Sequence, residues 1–178
     1  RIVDIISDVN LCYSEHARRY LMECGLPKER TFVTGSPMAE VLHANLDKIE
    51  ASDVHQRLGL TKGQYILLSA HREENIDTDR NFVQLFTAVN AMAEKYDMPI
   101  LYSCHPRSRK RLEATGFQLD TRVIAHEPLG FLDYNCLQMN AFAVVSDSGT
   151  LPEESSFFLS VGKPFPAVSI RTSTERPE

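Results

Sequence analysis

Residues Ala143–Glu154, AVVSDSGTLPEE, join an apolar run to a turn and a helix start. The run from 141 to 145 has the length of a buried strand, and 147–149 supplies turn residues. Thr150 and Glu153 have the spacing of a capping box. A strand that leads into a helix N-terminus aims backbone N–H groups and a positive dipole at one point, where a phosphate can bind. An ordinary capped helix gives the same pattern, so both interpretations stay open here.

Outward from this segment, apolar strand-like runs alternate with helical patterns. We expect strands at 9–13, 31–34, 65–70, 99–104, 122–125, 141–145 and 165–170, and helices at 14–24, 38–58, 79–96, 107–115, 131–139 and from 150 onward. Buried strands separated by helices predict βαβ units, hence an α/β fold with a Rossmann-like parallel sheet. The 38–58 pattern is polar and more typical of a connector than of a core element.

The composition argues against a nucleic-acid-binding protein and against a membrane-spanning one. The chain has 178 residues, 43% of them hydrophobic, which is enough for a real core. A formal charge of −5 without a basic cluster argues against a nucleic-acid partner. No apolar stretch reaches the ~20 residues of a membrane span, and the four scattered cysteines favour reduced thiols in a cytoplasmic protein. The missing initiator Met and the abrupt end lead us to expect a fragment of a longer protein.

Chemically suggestive side chains follow the ends of the predicted strands. The strands lead into five segments, at 71–75, 105–107, 126–129, 147–150 and 171–176. Because the carboxyl ends of parallel strands share one edge, we expect one ligand site there. His71, His105 and His126 follow different strands and no Cys or acidic spacing completes a ligand set, so no metal site is predicted. Each histidine taken singly also fits an ordinary loop role.

Several motifs, in order along the chain, carry a family resemblance. They are SEHARRYL (14–21), TGSPM (34–38), HREEN (71–75), SDSGT with the following EE (146–154), and TERPE (174–178). With these motifs the chain resembles the non-hydrolysing UDP-N-acetylglucosamine 2-epimerase family over almost its whole length. GSPM (35–38) and PLGFLDYN (128–135) are most similar to the capsule and O-antigen branch, which forms UDP-N-acetyl-L-fucosamine.

The resemblance implies a two-domain fold like that of GT-B glycosyltransferases, with UDP held between Rossmann-like halves. The chain would then supply the end of the N-terminal domain (1–36), a helical connector (37–60) and a C-terminal UDP-binding domain (61–178) that is incomplete at its end. It would thus be mainly the C-terminal half. The family implies no cofactor and no metal, a UDP-sugar as substrate, and a homodimer for the full-length protein.

The resemblance also implies roles for individual residues. His71 would be catalytic and would contact the nucleotide sugar near its diphosphate, and His105 would belong to a regulatory nucleotide-sugar site. The expected substrate-binding residues are Leu129 and Tyr134 at uracil, Ser148, Gly149 and Thr150 at phosphate, Glu154 at ribose, and Arg176. Thr150 replaces a more usual glycine, the sequence around His105 departs from the commoner pattern, and the link at 157–165 is longer than usual.

The implied reaction eliminates UDP across C1 and C2 of the sugar and adds it back with C2 inverted. The carboxylates that move the C2 proton would precede residue 1, so we expect the isolated chain to bind UDP weakly and to epimerise nothing. Three alternatives stay open. They are the nucleotide-sugar half of a GT-B glycosyltransferase, a non-catalytic nucleotide-sugar sensor, and a hydrolysing relative that releases N-acetylmannosamine.

Overall fold

The computed structural model of the protein describes residues 2–171. The chain first forms a small unit around two strands. Its elements are α1 (Ile2–Ile6), β1 (Asn10–Cys12), α2 (Glu15–Glu23), a 3-10 turn (Lys28–Arg30) and β2 (Thr31–Val33). The two strands pair in parallel, with Leu11 opposite Phe32. Both strands expected in this region are therefore confirmed, each slightly shorter than its apolar run.

The rest of the described chain alternates helices and strands. The elements are α3 (Met38–Glu50), α4 (Val54–Leu58), β3 (Ile66–Ser69), α5 (Glu73–Ile76), α6 (Asp79–Tyr96), β4 (Ile100–Ser103), α7 (Pro106–Thr115), β5 (Val123–His126), α8 (Phe131–Met139), β6 (Ala143–Ser146), α9 (Leu151–Ser160) and β7 (Ala167–Ser169). No helix between residues 2 and 171 is both long and apolar enough to cross a bilayer.

Five of these strands form one parallel sheet in the order β5-β4-β3-β6-β7. The chain winds outward from the central strand β3 through β4 to β5. It then crosses back to β6 on the other side of β3 and ends at β7. This is the strand order of a doubly wound nucleotide-binding unit. The predicted α/β class and parallel sheet are confirmed, while the half of a two-domain fold to which the chain corresponds stays a prediction.

Helices cover both faces of the sheet because successive strand side chains point to opposite sides. On one face, Leu67 of β3 packs in a core with Leu42 of α3 and Phe158 of α9. On the other face, Leu68 packs in a core with Phe86 of α6. Each core is completed by buried side chains from β4 and β6, which alternate in the same way. The result is a three-layer arrangement that leaves the carboxyl edge of the sheet as the place where loops meet.

Helix α3 contributes to the first core. Leu42 and Ile49 are fully buried, and the helix packs against α8 and α9. The expectation that 38–58 connects without joining a core is therefore wrong. Leu42 and Ile49 are seven positions apart, so helical spacing places them on one face of α3. The domain boundaries at 36 and 60 stay predictions.

Local capping explains several helix ends. The hydroxyl of Ser14 accepts from the Ala17 amide over 3.1 Å and begins α2, as its sequence pattern predicts. Helix α6 spans Asp79–Tyr96, which matches the expected range, and Gly116 ends α7 with a φ of 63°. The short helix α5 was not expected, because four residues are too few to show helical periodicity.

Candidate functional site

The candidate site lies where the strand order reverses. Strands β3 and β6 are neighbours, with Ser69 opposite Ser146, although more than seventy residues separate them in sequence. Their connections leave in opposite directions, to helices on opposite faces of the sheet. In sheets of this type such a switch point opens a crevice in which ligands bind. The loops that flank it begin at His71 and Asp147, which were expected at one edge on sequence grounds alone.

Asp147 organises this crevice. Its carboxylate is fully buried, and Oδ2 accepts from the backbone N–H of His71 over 2.9 Å and of Arg72 over 2.8 Å. The side-chain amide of Asn75 donates to the same oxygen over 3.0 Å and also to the Ile170 carbonyl at the end of β7. One carboxylate thus joins the loops that follow β3, β6 and β7.

The second oxygen of Asp147 faces a histidine. Nδ1 of His71 lies 3.1 Å from Oδ1 of Asp147, and about half of the His71 side chain is exposed. The hydrogen bond to Asp147 raises the pKa of His71, although partial burial and the Arg72 charge oppose it. Burial alone would raise the pKa of Asp147, but hydrogen bonds from His71, the Arg72 amide and Asn75 outweigh it and hold that pKa below its ordinary value. Both shifts favour an ion pair.

The turn after β6 is built by hydroxyl groups. The Ser148 N–H donates to Oγ of Ser146 over 3.0 Å, and the Thr150 N–H donates to Oγ of Ser148 over 3.3 Å. The hydroxyls of Ser148 and Thr150 lie 3.0 Å apart and share a hydrogen bond. Ser148, Gly149 and Thr150 therefore form one compact turn at the start of α9, in the place expected for a phosphate cradle.

The predicted capping box is wrong. Thr150 precedes α9, but its side chain caps no backbone amide of that helix. Its hydroxyl instead donates to Oε1 of Glu154 over 2.6 Å. Oε2 of Glu154 accepts from the Gln138 side chain over 2.7 Å, so this nearly buried carboxylate is held from two sides. The residue expected at ribose is consequently fixed in one orientation close to the turn.

Two arginines flank Gly149. A Cβ atom added at this glycine would lie 3.3 Å from Nη1 of Arg171 and 3.8 Å from Nη2 of Arg72. Nε of Arg72 donates to the Asp147 carbonyl over 2.9 Å, which fixes its guanidinium beside the turn. The absent side chain of Gly149 thus allows two cations from different strands to approach one backbone segment. Arg72 and Arg171 lie within the segments expected at the edge, but only the strand order shows that they converge.

The two residues expected at uracil lie on the α8 side of the sheet. Leu129 and Tyr134 are partly buried and pack against the core that contains Leu67. Burial raises the pKa of Tyr134 to about 12, with a contribution from Glu154, while hydrogen bonds from Ser69 and Ser146 act in the opposite direction. The phenol is therefore near the ends of β3 and β6, and the uracil role of both residues stays a prediction.

The remaining predicted residues lie farther out or outside the described chain. His105 is exposed and its Nδ1 accepts from the Arg107 amide over 3.3 Å, so it caps α7. This cap is the ordinary loop role that a single histidine can have, and the regulatory role stays a prediction. The side chain of His126 contacts the Glu127 carbonyl at 2.7 Å. Arg176 lies outside the described residues.

Open space borders this site on the His71 side. A cavity of about 570 Å³ is lined by His71, Arg72, Glu73, Glu74 and Arg107. A second cavity of about 470 Å³ lies between the small unit and the face of α9 that includes Ser156, and it contains none of the turn residues at 148–150. The turn lines neither cavity. We place the candidate site beside the first cavity because His71 and Arg72, which line it, also contact Asp147, the residue that precedes the turn. Between residues 2 and 171, no three His, Cys, Asp or Glu side chains are arranged to hold a metal ion.

Two curated relatives match almost the whole chain. The chain is 29% identical over 185 residues to "UDP-N-acetylglucosamine 2-epimerase" from Methanocaldococcus jannaschii, a match that covers 99% of the chain and 49% of that relative. It is 30% identical to the protein of the same name from Methanococcus maripaludis, again with 99% of the chain and 49% of the relative covered. The chain therefore spans about half the length of the curated relatives it matches.

Solved structures give the same result. The epimerase structure from Rickettsia bellii matches with a TM-score of 0.86 and 41% identity over 99% of the chain and 45% of that structure. The Methanocaldococcus jannaschii structure, described as a complex with UDP-GlcNAc and UDP, matches with a TM-score of 0.87 and 28% identity over 99% of the chain and 49% of that structure. The profile of the family described as UDP-N-acetylglucosamine 2-epimerase matches residues 1–178, and the chain belongs to this family.

Proposed function

We propose that this chain is the UDP-holding part of a non-hydrolysing UDP-N-acetylglucosamine 2-epimerase. The observation that carries the proposal is the approach of Arg72 and Arg171 to Gly149, beside the His71–Asp147 pair at the switch point of the sheet. A diphosphate suits this set because it carries negative charge that two guanidinium groups beside a helix N-terminus can bind. The Methanocaldococcus jannaschii relative is described with UDP-GlcNAc and UDP bound, which supports the same ligand class here.

We assign the nucleotide to the site from its phosphates outward. The diphosphate would rest on the 148–150 turn between the two arginines, with His71 at its sugar end. Glu154 accepts hydrogen bonds only, so its fixed carboxylate suits ribose hydroxyls. Leu129 and Tyr134 would contact uracil on the α8 side. Arg176 remains a proposed ligand-facing residue.

The proposed reaction increases the negative charge on the diphosphate of UDP as it leaves the sugar. When the C1–O bond of the sugar breaks, its electron pair leaves with UDP, a base takes the C2 proton, and a 2-acetamidoglycal remains. Cations and N–H groups that are fixed before the reaction stabilise this charge most in the transition state, at about 3–4 kcal/mol for each donor. UDP then adds back at C1 while a proton returns to C2 on the opposite face.

Part of the proton chemistry belongs elsewhere in the proposed protein. The described site offers His71 as an acid near the leaving group, but its buried carboxylates, Asp147 and Glu154, are both engaged by hydrogen bonds. We assign the carboxylates that move the C2 proton to a part of the protein outside this chain, as the family resemblance implies. We propose that the whole protein acts in the cytoplasm as a homodimer and serves surface polysaccharide synthesis, with UDP-N-acetyl-L-fucosamine formation as the preferred branch.

Nuclear magnetic resonance of the whole protein with UDP-N-acetylglucosamine in deuterated water tests the proposal. We expect the C2 epimer to form with deuterium at C2, without any acceptor sugar. His71→Asn should reduce turnover more than stability. A GT-B glycosyltransferase would require an acceptor and leave C2 undeuterated, a sensor would bind the sugar nucleotide unchanged, and a hydrolysing enzyme would release free N-acetylmannosamine. Each of these three results would contradict the proposal.

A further inference from the structure

We propose that Asp147 is the positioning residue of this site, which fixes the tautomer and the direction of His71 so that Nε2 is the ring nitrogen presented to the ligand. The ligand itself rests on the proposed function. The control of His71 by Asp147 does not, because it follows from contacts within the chain. Asp147 touches no ligand in this assignment and acts through its neighbours.

The burial of Asp147 gives the first argument. Its side chain is fully buried, and Oδ2 is satisfied by the His71 amide, the Arg72 amide and Asn75. Oδ1 is also buried. Nδ1 of His71 lies 3.1 Å from it, and no other group within residues 2–171 donates a hydrogen bond to it. A buried carboxylate oxygen without a donor is costly. The site therefore requires a proton on Nδ1.

That requirement settles the chemistry of the ring. An ionised carboxylate only accepts hydrogen bonds, so Nδ1 of His71 must be the protonated nitrogen of the neutral ring. Nε2 then holds the lone pair in the neutral form and gains the second proton in the cation. Hydrogen bonding at one ring nitrogen commonly sets the role of the other in this way. Nε2 is thus the nitrogen that can give a proton to a departing phosphate oxygen.

The charges around His71 act in both directions. Asp147 favours the cation from the β6 side, whereas Arg72, next in sequence, disfavours it. The cavity beside the ring also contains Arg107 from α7 and Glu73 and Glu74 from α5. Arg107 is itself paired, at 2.7 Å with Asp77 and at 3.6 Å with Glu73. Asp147 is the carboxylate that directly contacts the ring. Removing its charge should therefore lower the pKa of His71.

Asp147 also places the second cation of the site. Its carboxylate binds the Arg72 amide over 2.8 Å and its carbonyl accepts from Nε of the same arginine over 2.9 Å. One residue therefore sets the backbone at 71–72, the imidazole ring and a guanidinium. A role limited to stability would require the backbone contacts but not the contact with the ring, and this difference can be measured.

Asp147→Asn separates the two roles. The amide oxygen can replace Oδ2 and keep its three donors, while the amide nitrogen replaces Oδ1 and now donates toward His71. Nδ1 must then accept, which moves the proton of the neutral ring to Nε2. Nitrogen-15 NMR of the imidazole across pH should show this change of tautomer and a fall in the His71 titration midpoint, because the charge of Asp147 is lost. In the whole protein, the alkaline limb of kcat/KM should move down by the same amount.

The experiment contains its own controls. The His126 ring, whose Nδ1 contacts the Glu127 carbonyl, should keep its chemical shifts in the variant. If Asp147→Asn does not fold, the wild-type spectrum at alkaline pH still shows which nitrogen of the neutral His71 ring is protonated. A proton on Nδ1 of His71 supports the inference, and a proton on Nε2 overturns it. An unchanged midpoint and tautomer in a folded variant would also overturn it. These outcomes do not depend on UDP, so they are distinct from a failure of the proposed function.

Discussion

The hydroxyl of Thr150 donates to Oε1 of Glu154 over 2.6 Å and lies 3.0 Å from the hydroxyl of Ser148. This contact joins the residue proposed at ribose to the turn proposed at phosphate. The opposite oxygen of Glu154 is held by Gln138 over 2.7 Å. In the proposed function, nucleotide recognition would therefore depend on a short chain of hydrogen bonds that starts within the turn. The more usual glycine at position 150 could not form it, because glycine has no hydroxyl.

Thr150→Val removes that hydroxyl at nearly constant shape. Glu154 and Ser148 each lose a partner, and we expect the free energy of unfolding to fall by about 1–3 kcal/mol. UDP affinity should fall several-fold because the carboxylate is no longer fixed. Denaturant unfolding and calorimetric titration with UDP measure the two effects. Thr150→Ser, which keeps the hydroxyl, is the matched control. Equal behaviour of the two variants would show that the hydrogen bond is unimportant.

Gly149→Ala tests the convergence of the two arginines. The new Cβ would approach Nη1 of Arg171 to 3.3 Å and Nη2 of Arg72 to 3.8 Å, so a guanidinium must shift. Side-chain ends can move at small cost, and we expect little change in stability. UDP should nevertheless bind about tenfold more weakly, which corresponds to ~1.4 kcal/mol. Gly130→Ala is the control, since a Cβ there would meet no atom within 4 Å. If Gly149→Ala binds UDP as tightly as wild type, the proposal that Arg72 and Arg171 bind the diphosphate is contradicted.

Phe86 tests the core that supports the β3 side of the site. Its ring is fully buried and packs 4.7 Å from the Phe82 ring and 5.3 Å from the Tyr102 ring, measured between centroids. Phe86→Ala should lower the free energy of unfolding by about 3–5 kcal/mol, because a large cavity remains. Val83→Ala on the exposed side of the same helix should change it by less than ~0.5 kcal/mol. Similar losses in urea unfolding would contradict the assigned core.

Stability should depend on pH through Asp147 and His71. The pKa of Asp147 is lowered by folding, so its contribution is complete above its unfolded-state pKa and is lost as pH falls through the folded-state value. The pKa of His71 is raised, so its contribution is complete below its unfolded-state pKa and is lost as pH rises through the folded-state value. Urea unfolding of wild type and His71→Gln should therefore differ most in mildly acidic solution. A difference that grows toward alkaline pH would contradict this pair.

Local patterns in the sequence were sufficient for most of the fold. The apolar run at 65–70 and the periodic segment at 79–96 contain β3 and α6, because buried strands and amphipathic helices leave strong signals of length and period. The same rules placed His71 and the 147–150 turn at the carboxyl edge of a parallel sheet. The pattern of alternating strands and helices predicts a shared edge for His71 and the turn. Their direct contact depends on the strand order.

Contacts that depend on strand order could not be predicted. Asp147 was only a turn residue in sequence, and nothing local indicates that it accepts from His71 and Asn75 in another loop. The approach of Arg72 and Arg171 likewise requires that β3 and β7 lie on either side of β6. The capping-box prediction was wrong because Thr150 has helical backbone angles, φ −89° and ψ −9°, instead of the extended angles that let an N-cap hydroxyl accept from the helix. The spacing of residue types in the sequence does not show these backbone angles.

The most direct test of the account is whether the diphosphate governs binding to this edge of the sheet. Calorimetry should compare UDP with uridine on the 178-residue chain and on its Ser148→Trp variant. We predict weak but measurable UDP binding, much weaker uridine binding, and loss of UDP binding in the variant with an unchanged unfolding curve. Equal affinity for UDP and uridine, or UDP binding that survives Ser148→Trp, would contradict the central claim that the 148–150 turn holds the diphosphate.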